Sequence, residues 1–147
     1  MLSFNYKDIL SATIEQFMIP AERVAHVQVS NSLEHGLLLL TKSGYTALPV
    51  LDPHYKLYGL ISLPMIFDSI LGLQRIEFEK LDELTVSEVM NENIPRLRMY
   101  DSVQLGLDML IDHPFVCVVN DEGIFEGIIT RRAILLKVQE LSNQYKD

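Results

Sequence analysis

Residues 24–40 read VAHVQVSNSLEHGLLLL, and residues 94–110 read IPRLRMYDSVQLGLDML. Laid over one another, Val27 meets Leu97, Ser32 meets Ser102, Gly36 meets Gly106, and the apolar positions coincide. A second echo follows, VLDPHYKLYGLIS at 50–62 against VVNDEGIFEGIIT at 118–130, with Gly59 over Gly127. The spacing is 70 residues at the first pair of glycines and 68 at the second, so two residues are lost between the blocks. A unit written twice usually packs about a pseudo-twofold axis, and the seam between copies supplies clefts where ligands bind.

Composition bounds the rest. A chain of 147 residues, 48% hydrophobic, suits one compact module with a sizeable core. No apolar run approaches the roughly 20 residues of a membrane span. The start, MLSFNYKDIL, mixes charge with apolar residues rather than forming a signal pattern. The lone cysteine, Cys117 in FVCVV, reads as a buried core thiol and has no partner for an intrachain disulfide. These features lead us to expect a cytoplasmic protein with no membrane association. A net charge of −8 argues against a nucleic-acid partner, because a phosphate backbone requires a basic face.

Each copy opens with a short helical piece, TIEQFM or TVSEVM. Thr85 with Glu88 forms a capping-box pattern, and Thr13 with Gln16 repeats it. A short strand follows, at Val27–Val29 or Leu97–Met99. Asn31 with Glu34, and Asp101 with Gln104, then read as caps of a helix with Leu33, Leu37 and Leu40, or Val103, Leu107 and Leu110, on one face. Two more strands come next, ALPVL then LYGLI, or FVCVV then FEGII, joined by turns at Asp52-Pro53 and Asn120–Gly123. Ser62 or Thr130 caps a last helix. The fold class is α/β (α+β), two β-α-β-β-α repeats, each a small sheet covered on one face by helices. The first repeat spans 13–72 and the second 85–143, within one module of 1–147. Between them, the connector 73–84 holds an acidic run with Glu77, Glu79, Asp82 and Glu83, and lacks the Gly, Ser or Pro content of a flexible tether. It reads as a solvated face or as a surface for a partner.

Catalytic signatures are missing: the four histidines are scattered singly, and no HExxH, GxSxG, P-loop or GxGxxG occurs. We expect neither enzymatic activity, nor a metal, nor a cofactor. Thr130-Arg131-Arg132 stands apart. With Thr130 as N-cap, two cations fall in a first helical turn, where they oppose the helix dipole at roughly 0.3–1 kcal/mol each. A helix N-terminus with two guanidiniums is a phosphate clamp in the making. The other reading is two arginines that point into water or pair with nearby carboxylates. The equivalent place in the first copy, Ser62-Leu63-Pro64-Met65, carries no charge.

The doubled unit, with LPVLD (48–52) before GLIS and VCVVN before GIIT, resembles a pair of CBS domains, the adenine-nucleotide-sensing tandem called a Bateman module. The stretches VAHVQV, KSGYTALPVLD, RIEFEKLDELTV, FVCVVNDE and FEGIITRR are similar to the stand-alone cyclic-di-AMP-binding CBS proteins of Gram-positive bacteria. This resemblance implies one ligand site from Arg23, Ala25 and Val27, with Tyr45, Thr46 and Ala47, and with Thr130, Arg131 and Arg132. Small Ala25 and Ala47 would admit an adenine to backbone edges, Tyr45 would stack or touch its edge, and the threonine hydroxyls would meet phosphate or ribose. The family's ribose-holding aspartate falls at Ala133, and at Met65 in the first copy. A 3′,5′-cyclic dinucleotide has no free diol to hold, so the departure favours cyclic di-AMP over AMP or ATP. The pseudo-symmetric site, from Asn93, Ile94 and Pro95, His113, Pro114 and Phe115, and Ser62 to Met65, lacks a fixed cation and is expected to be empty or weak. Two of its prolines also remove backbone donors.

The resemblance further implies a homodimer and a second-messenger receptor that signals through a protein partner, in its nearest members the (p)ppGpp synthetase/hydrolase of the stringent response. An AMP/ATP-sensing regulatory module is the alternative.

Overall fold

The structure is a computed structural model describing residues 6–144. The N-terminal stretch read for a signal pattern therefore lies partly outside the described residues, at 1–5, as do 145–147. In chain order the helices are α1 (Tyr6–Leu10), α2 (Leu33–Ser43), α3 (Leu63–Ile70), α4 (Lys80–Glu83), α5 (Val86–Val89), α6 (Val103–Leu110) and α7 (Arg131–Gln144). The strands are β1 (Ile19–Pro20), β2 (Val27–Gln28), β3 (Ala47–Leu51), β4 (Leu57–Ser62), β5 (Arg96–Leu97), β6 (Phe115–Val119) and β7 (Phe125–Thr130). Single 3₁₀ turns lie at Ile14–Gln16 and Ala21–Arg23.

These elements form two compact units. One is Ala25–Ile94; the other joins Val24 and the described residues before it to Pro95 and those after it. Within Ala25–Ile94, β2 lies parallel to β3 and β3 antiparallel to β4, giving the order β2-β3-β4. In the other unit β5 lies parallel to β6 and β6 antiparallel to β7, with β1 added beyond β7. The apolar strands fill each core, with Leu48, Val50 and Ile61 in one, and Val116, Val118 and Ile129 in the other. Helices α2 and α6 turn Leu33 and Leu40, or Val103 and Leu110, inward, as their spacing dictates.

Along the sequence each leading helical piece opens its own copy; in space it closes the unit built by the other. The Ile14 and Glu15 N–H groups donate to the carbonyls of Asp101 and Met99, and the Val103 N–H donates to Ala12. The matching bonds run from Val86 and Ser87 to Asn31 and Val29, and from Leu33 to Leu84. The repeat glycines make this exchange possible. A Cβ on Gly127 would stand 2.2 Å from the Ile19 carbonyl oxygen, and one on Gly59 would stand 2.4 Å from that of Asn91. On the helices, a Cβ on Gly106 would meet Ile14 Cδ1 at 2.8 Å, whereas one on Gly36 would just touch Val86 at 3.4 Å.

Three capping expectations change. Ser32 and Ser102, one residue later than read from the sequence, cap α2 and α6 by accepting from the His35 and Leu105 N–H groups at 3.2 and 3.3 Å. Asn31 and Asp101 instead turn back to accept from the Gln28 and Arg98 N–H groups at 2.8 and 2.7 Å, closing the turn after each short strand. Thr85 and Glu88 do cooperate, the carboxylate accepting from the Thr85 N–H at 2.9 Å. Thr13 makes no side-chain cap bond, because only a single 3₁₀ turn follows it.

The connector is ordered within Ala25–Ile94: it carries α4, an Arg75–Glu79 ion pair and a Lys80–Glu77 pair at 2.6 Å. No helix among the described residues is long and apolar enough to cross a membrane.

Candidate functional site

The charged end nominated from the sequence lies where β7 runs into α7. Thr130 Oγ1 accepts from the Ala133 N–H at 2.9 Å, so the hydroxyl caps a 14-residue helix whose aligned peptide dipoles favour an anion at this end. The two arginines, equivalent in sequence, differ in structure. Arg131 folds back onto the end of α6, donating from Nε to the Leu110 carbonyl at 2.6 Å and from Nη2 to the Ile111 carbonyl at 3.0 Å. Its backbone N–H donates to Pro114 at 3.1 Å. The guanidinium thereby satisfies carbonyls that a helix C-terminus leaves without intrahelical donors. Arg132 is exposed and, among the described residues, has no hydrogen-bond or ion-pair partner. Arg131 thus pairs with main-chain carbonyls rather than with carboxylates, while Arg132 is a cation with its donors free.

Leu107, Leu110, Ile111, Ile134 and Leu135 line an apolar groove of about 220 Å³ beside the Arg131 side chain.

Within Ala25–Ile94, Tyr45, Thr46 and Ala47 lie together at the start of β3. Gly44, in the left-handed region at φ 75°, ends α2 just before them. The Tyr45 N–H donates to Ser43 Oγ at 3.3 Å, and both Tyr45 and Thr46 are exposed. Ala25 and Ala47 are half-buried and small, which leaves backbone edges approachable. Val27 pairs with Val50, and its side chain is buried in the core, so only its backbone remains for a ligand. Arg23 is exposed on the 3₁₀ turn after β1 and has no partner among the described residues.

The counterpart of the charged end is weaker in every respect. Ser62 Oγ accepts from the Met65 N–H at 3.4 Å, Pro64 lies in the first turn without a donor, and the helix is 8 residues long. Of the other residues proposed for that site, Asn93 and Pro114 are exposed, and Ile94, Pro95, His113 and Phe115 are half-buried.

Sequence reasoning missed that Leu110 and Ile111 tie down Arg131. They do so through main-chain oxygens that every residue carries, so no sequence signal marks them.

Chemistry elsewhere is muted. Among the described residues no cluster of three or more His, Cys, Asp or Glu side chains is arranged to hold a metal. Cys117 is buried in β6, and burial pushes its thiol up to about 12. His26 packs edge-on against Tyr55 with ring centroids 5.2 Å apart.

Two sheets, each helix-covered and each closed by the other copy's leading segment, define a tandem repeat module, one of whose helices starts with a Thr cap and two arginines. Residues 14–72 and 86–140 both match the family model of the CBS domain, and the chain belongs to that family. It is 58% identical over 140 residues to cyclic di-AMP receptor B of Bacillus subtilis (strain 168), covering 95% of each chain. Among solved structures it is similar to a conserved hypothetical protein of Geobacillus kaustophilus, with a TM-score of 0.85 and 57% identity, covering 87% of this chain and 96% of that one. It is also similar to the CbpB protein of Listeria monocytogenes in complex with c-di-AMP, with a TM-score of 0.81 and 52% identity, covering 86% and 95%.

Proposed function

We propose that this protein is a cyclic di-AMP receptor that signals by ligand-dependent binding to a protein partner. The observation that carries the reading is the start of α7. Thr130 caps it, Arg132 stands free of partners, and Ala133 occupies the place of a ribose-binding aspartate. A ligand with two phosphodiesters and no free diol matches that chemistry, and the ligand named for the Bacillus and Listeria relatives is of this kind. The ligand residues are those nominated from the sequence, Arg23, Ala25, Val27, Tyr45, Thr46, Ala47, Thr130, Arg131 and Arg132. Val27 acts through its backbone, and Arg131 acts while also capping α6.

Calorimetry with cyclic di-AMP, AMP and ATP tests the reading. Cyclic di-AMP binding tightest, at one ligand per chain, is the expected result; tighter AMP or ATP binding sinks it and favours the energy-sensing alternative.

The protein acts in the cytoplasm without chemistry of its own, so occupancy leaves through a partner whose affinity differs between free and bound states. That partner is the (p)ppGpp synthetase/hydrolase, by resemblance to similar receptors. A pull-down with the purified enzyme, with and without cyclic di-AMP, tests the pairing. The working form is a homodimer, supported by exposed Leu38, Phe67, Leu105 and Leu135 on helices of both units. Sedimentation at several protein concentrations checks it.

A further inference from the structure

The connector after α3 holds an exposed apolar loop in a fixed conformation. Leu71 and Ile76 pair as an antiparallel bridge, the Gly72 N–H donates to Arg75 at 2.8 Å, and the Glu77 N–H donates to Ile70 at 2.6 Å. The turn is tight, since a Cβ on Gly72 would meet the Arg75 carbonyl oxygen at 2.9 Å. At its tip Leu73 is fully exposed, and Leu71, Ile76 and Phe78 are exposed at 57%, 42% and 62%. A loop held this firmly, with four large apolar side chains facing water, has the character of an interaction surface.

Its charge says what covers it. Arg75 and Lys80 are neutralised internally by Glu79 and Glu77. On α4, Asp82 and Glu83 follow with no cation paired to either among the described residues, and Glu34 of α2 stands against Asp82. The Asp82 carboxyl, hydrogen-bonded to Glu34 and repelling it, holds the Glu34 carboxyl above its ordinary value. A second copy of this acidic chain, docking through the same patch, would bring like charges together. A basic segment would relieve them.

We propose that the Leu71–Phe78 loop and the α4 acids form the docking surface for a protein partner, which presents an apolar anchor flanked by lysine or arginine. The proposal rests on the reading above that the signal leaves through a partner, and it assigns the contact to residues other than those nominated for the nucleotide.

Photo-crosslinking in cells from Leu73→p-benzoylphenylalanine tests it, with Glu122→p-benzoylphenylalanine as control. The expected product is one heterologous protein joined through a Lys/Arg-rich segment and absent from the control. In purified form it should bind the wild type, and bind Leu73→Ser/Phe78→Ser at least about tenfold more weakly. Cyclic di-AMP binding and the thermal midpoint of that variant should be unchanged. If the crosslinked protein is not the (p)ppGpp synthetase/hydrolase, the surface stands and that partner assignment falls. A crosslink only to a second copy of this chain, or to an acidic segment, overturns the surface. So does no crosslink, or full partner binding by Leu73→Ser/Phe78→Ser.

Discussion

The helix starts after β4 and β7 occupy equivalent places in the two copies, and they have diverged while the strands that lead into them kept the same register. Both follow the same strand register, with Ala47 opposite Ser62 and Phe115 opposite Thr130. Both are capped by a hydroxyl, and both strands are overlain at their glycine by a segment from the other copy. Yet one start offers a prolyl ring and no charge, and the other offers two arginines with different duties. The neighbouring helix ends follow suit. Helix α2 runs for 11 residues and stops at Gly44, whose left-handed backbone lets its N–H reach the Leu40 carbonyl. Helix α6 stops after 8 residues and has the Arg131 side chain over its last carbonyls. A duplicated scaffold is thus free to specialise at its helix termini, because those groups are satisfied by side chains rather than by the shared hydrogen-bond ladder.

The largest expected effect breaks this asymmetry at Arg132. Arg132→Met keeps the aliphatic stem and removes the free cation. Losing charge-assisted bonds worth about 1.5–3 kcal/mol should weaken cyclic di-AMP binding roughly 10- to 150-fold by calorimetry. The apo thermal midpoint should stay in place, and a matching fall would recast Arg132 as structural. Next come the glycines that the copies share. Gly127→Ala and Gly59→Ala each force a methyl onto a main-chain oxygen and should each cost about 1–3 kcal/mol or more in urea unfolding. Near-neutral values would mean the crossing segments are not held as described. Arg131→Met should lower apo stability by on the order of 1 kcal/mol, because the Leu110 and Ile111 carbonyls lose their donors. That separates it from Arg132→Met, and equal apo midpoints for the two variants would erase the distinction. Smallest is the cap difference. Thr130→Ala should destabilise by about 1 kcal/mol and Ser62→Ala by less, in keeping with bonds of 2.9 and 3.4 Å.

One further check concerns the equivalent strands β3 and β6, where Cys117 takes the place that Pro49 holds in the first copy. With its thiol pushed up to about 12 by burial, Cys117 stays protonated at pH 8 and should resist iodoacetamide until the protein unfolds. Alkylation at the rate of a free thiol in the native state would contradict the described core.

Much of this was legible from residues alone. The strands ALPVL and FVCVV, the glycines and the Ser62 and Thr130 caps announce themselves, because period, backbone freedom and hydroxyl capping are local properties. The caps at Ser32 and Ser102 were displaced by one position, since Asn31 and Asp101 suit a cap or a turn equally well and the chain path decides which. Arg131 and Arg132 looked interchangeable because adjacency in sequence does not reveal which side chain can reach a distant carbonyl.

The sequence by itself determined the repeat, the class of each element and the place where charge interrupts symmetry, all of which follow from residue type and spacing. Only the tertiary structure decided that each leading segment closes the other copy's unit, and that Arg131 is tied to α6 while Arg132 is left free. Those outcomes depend on main-chain oxygens brought near by folding, at Ile19, Asn91, Leu110 and Ile111, and a carbonyl carries no mark of its own in the sequence.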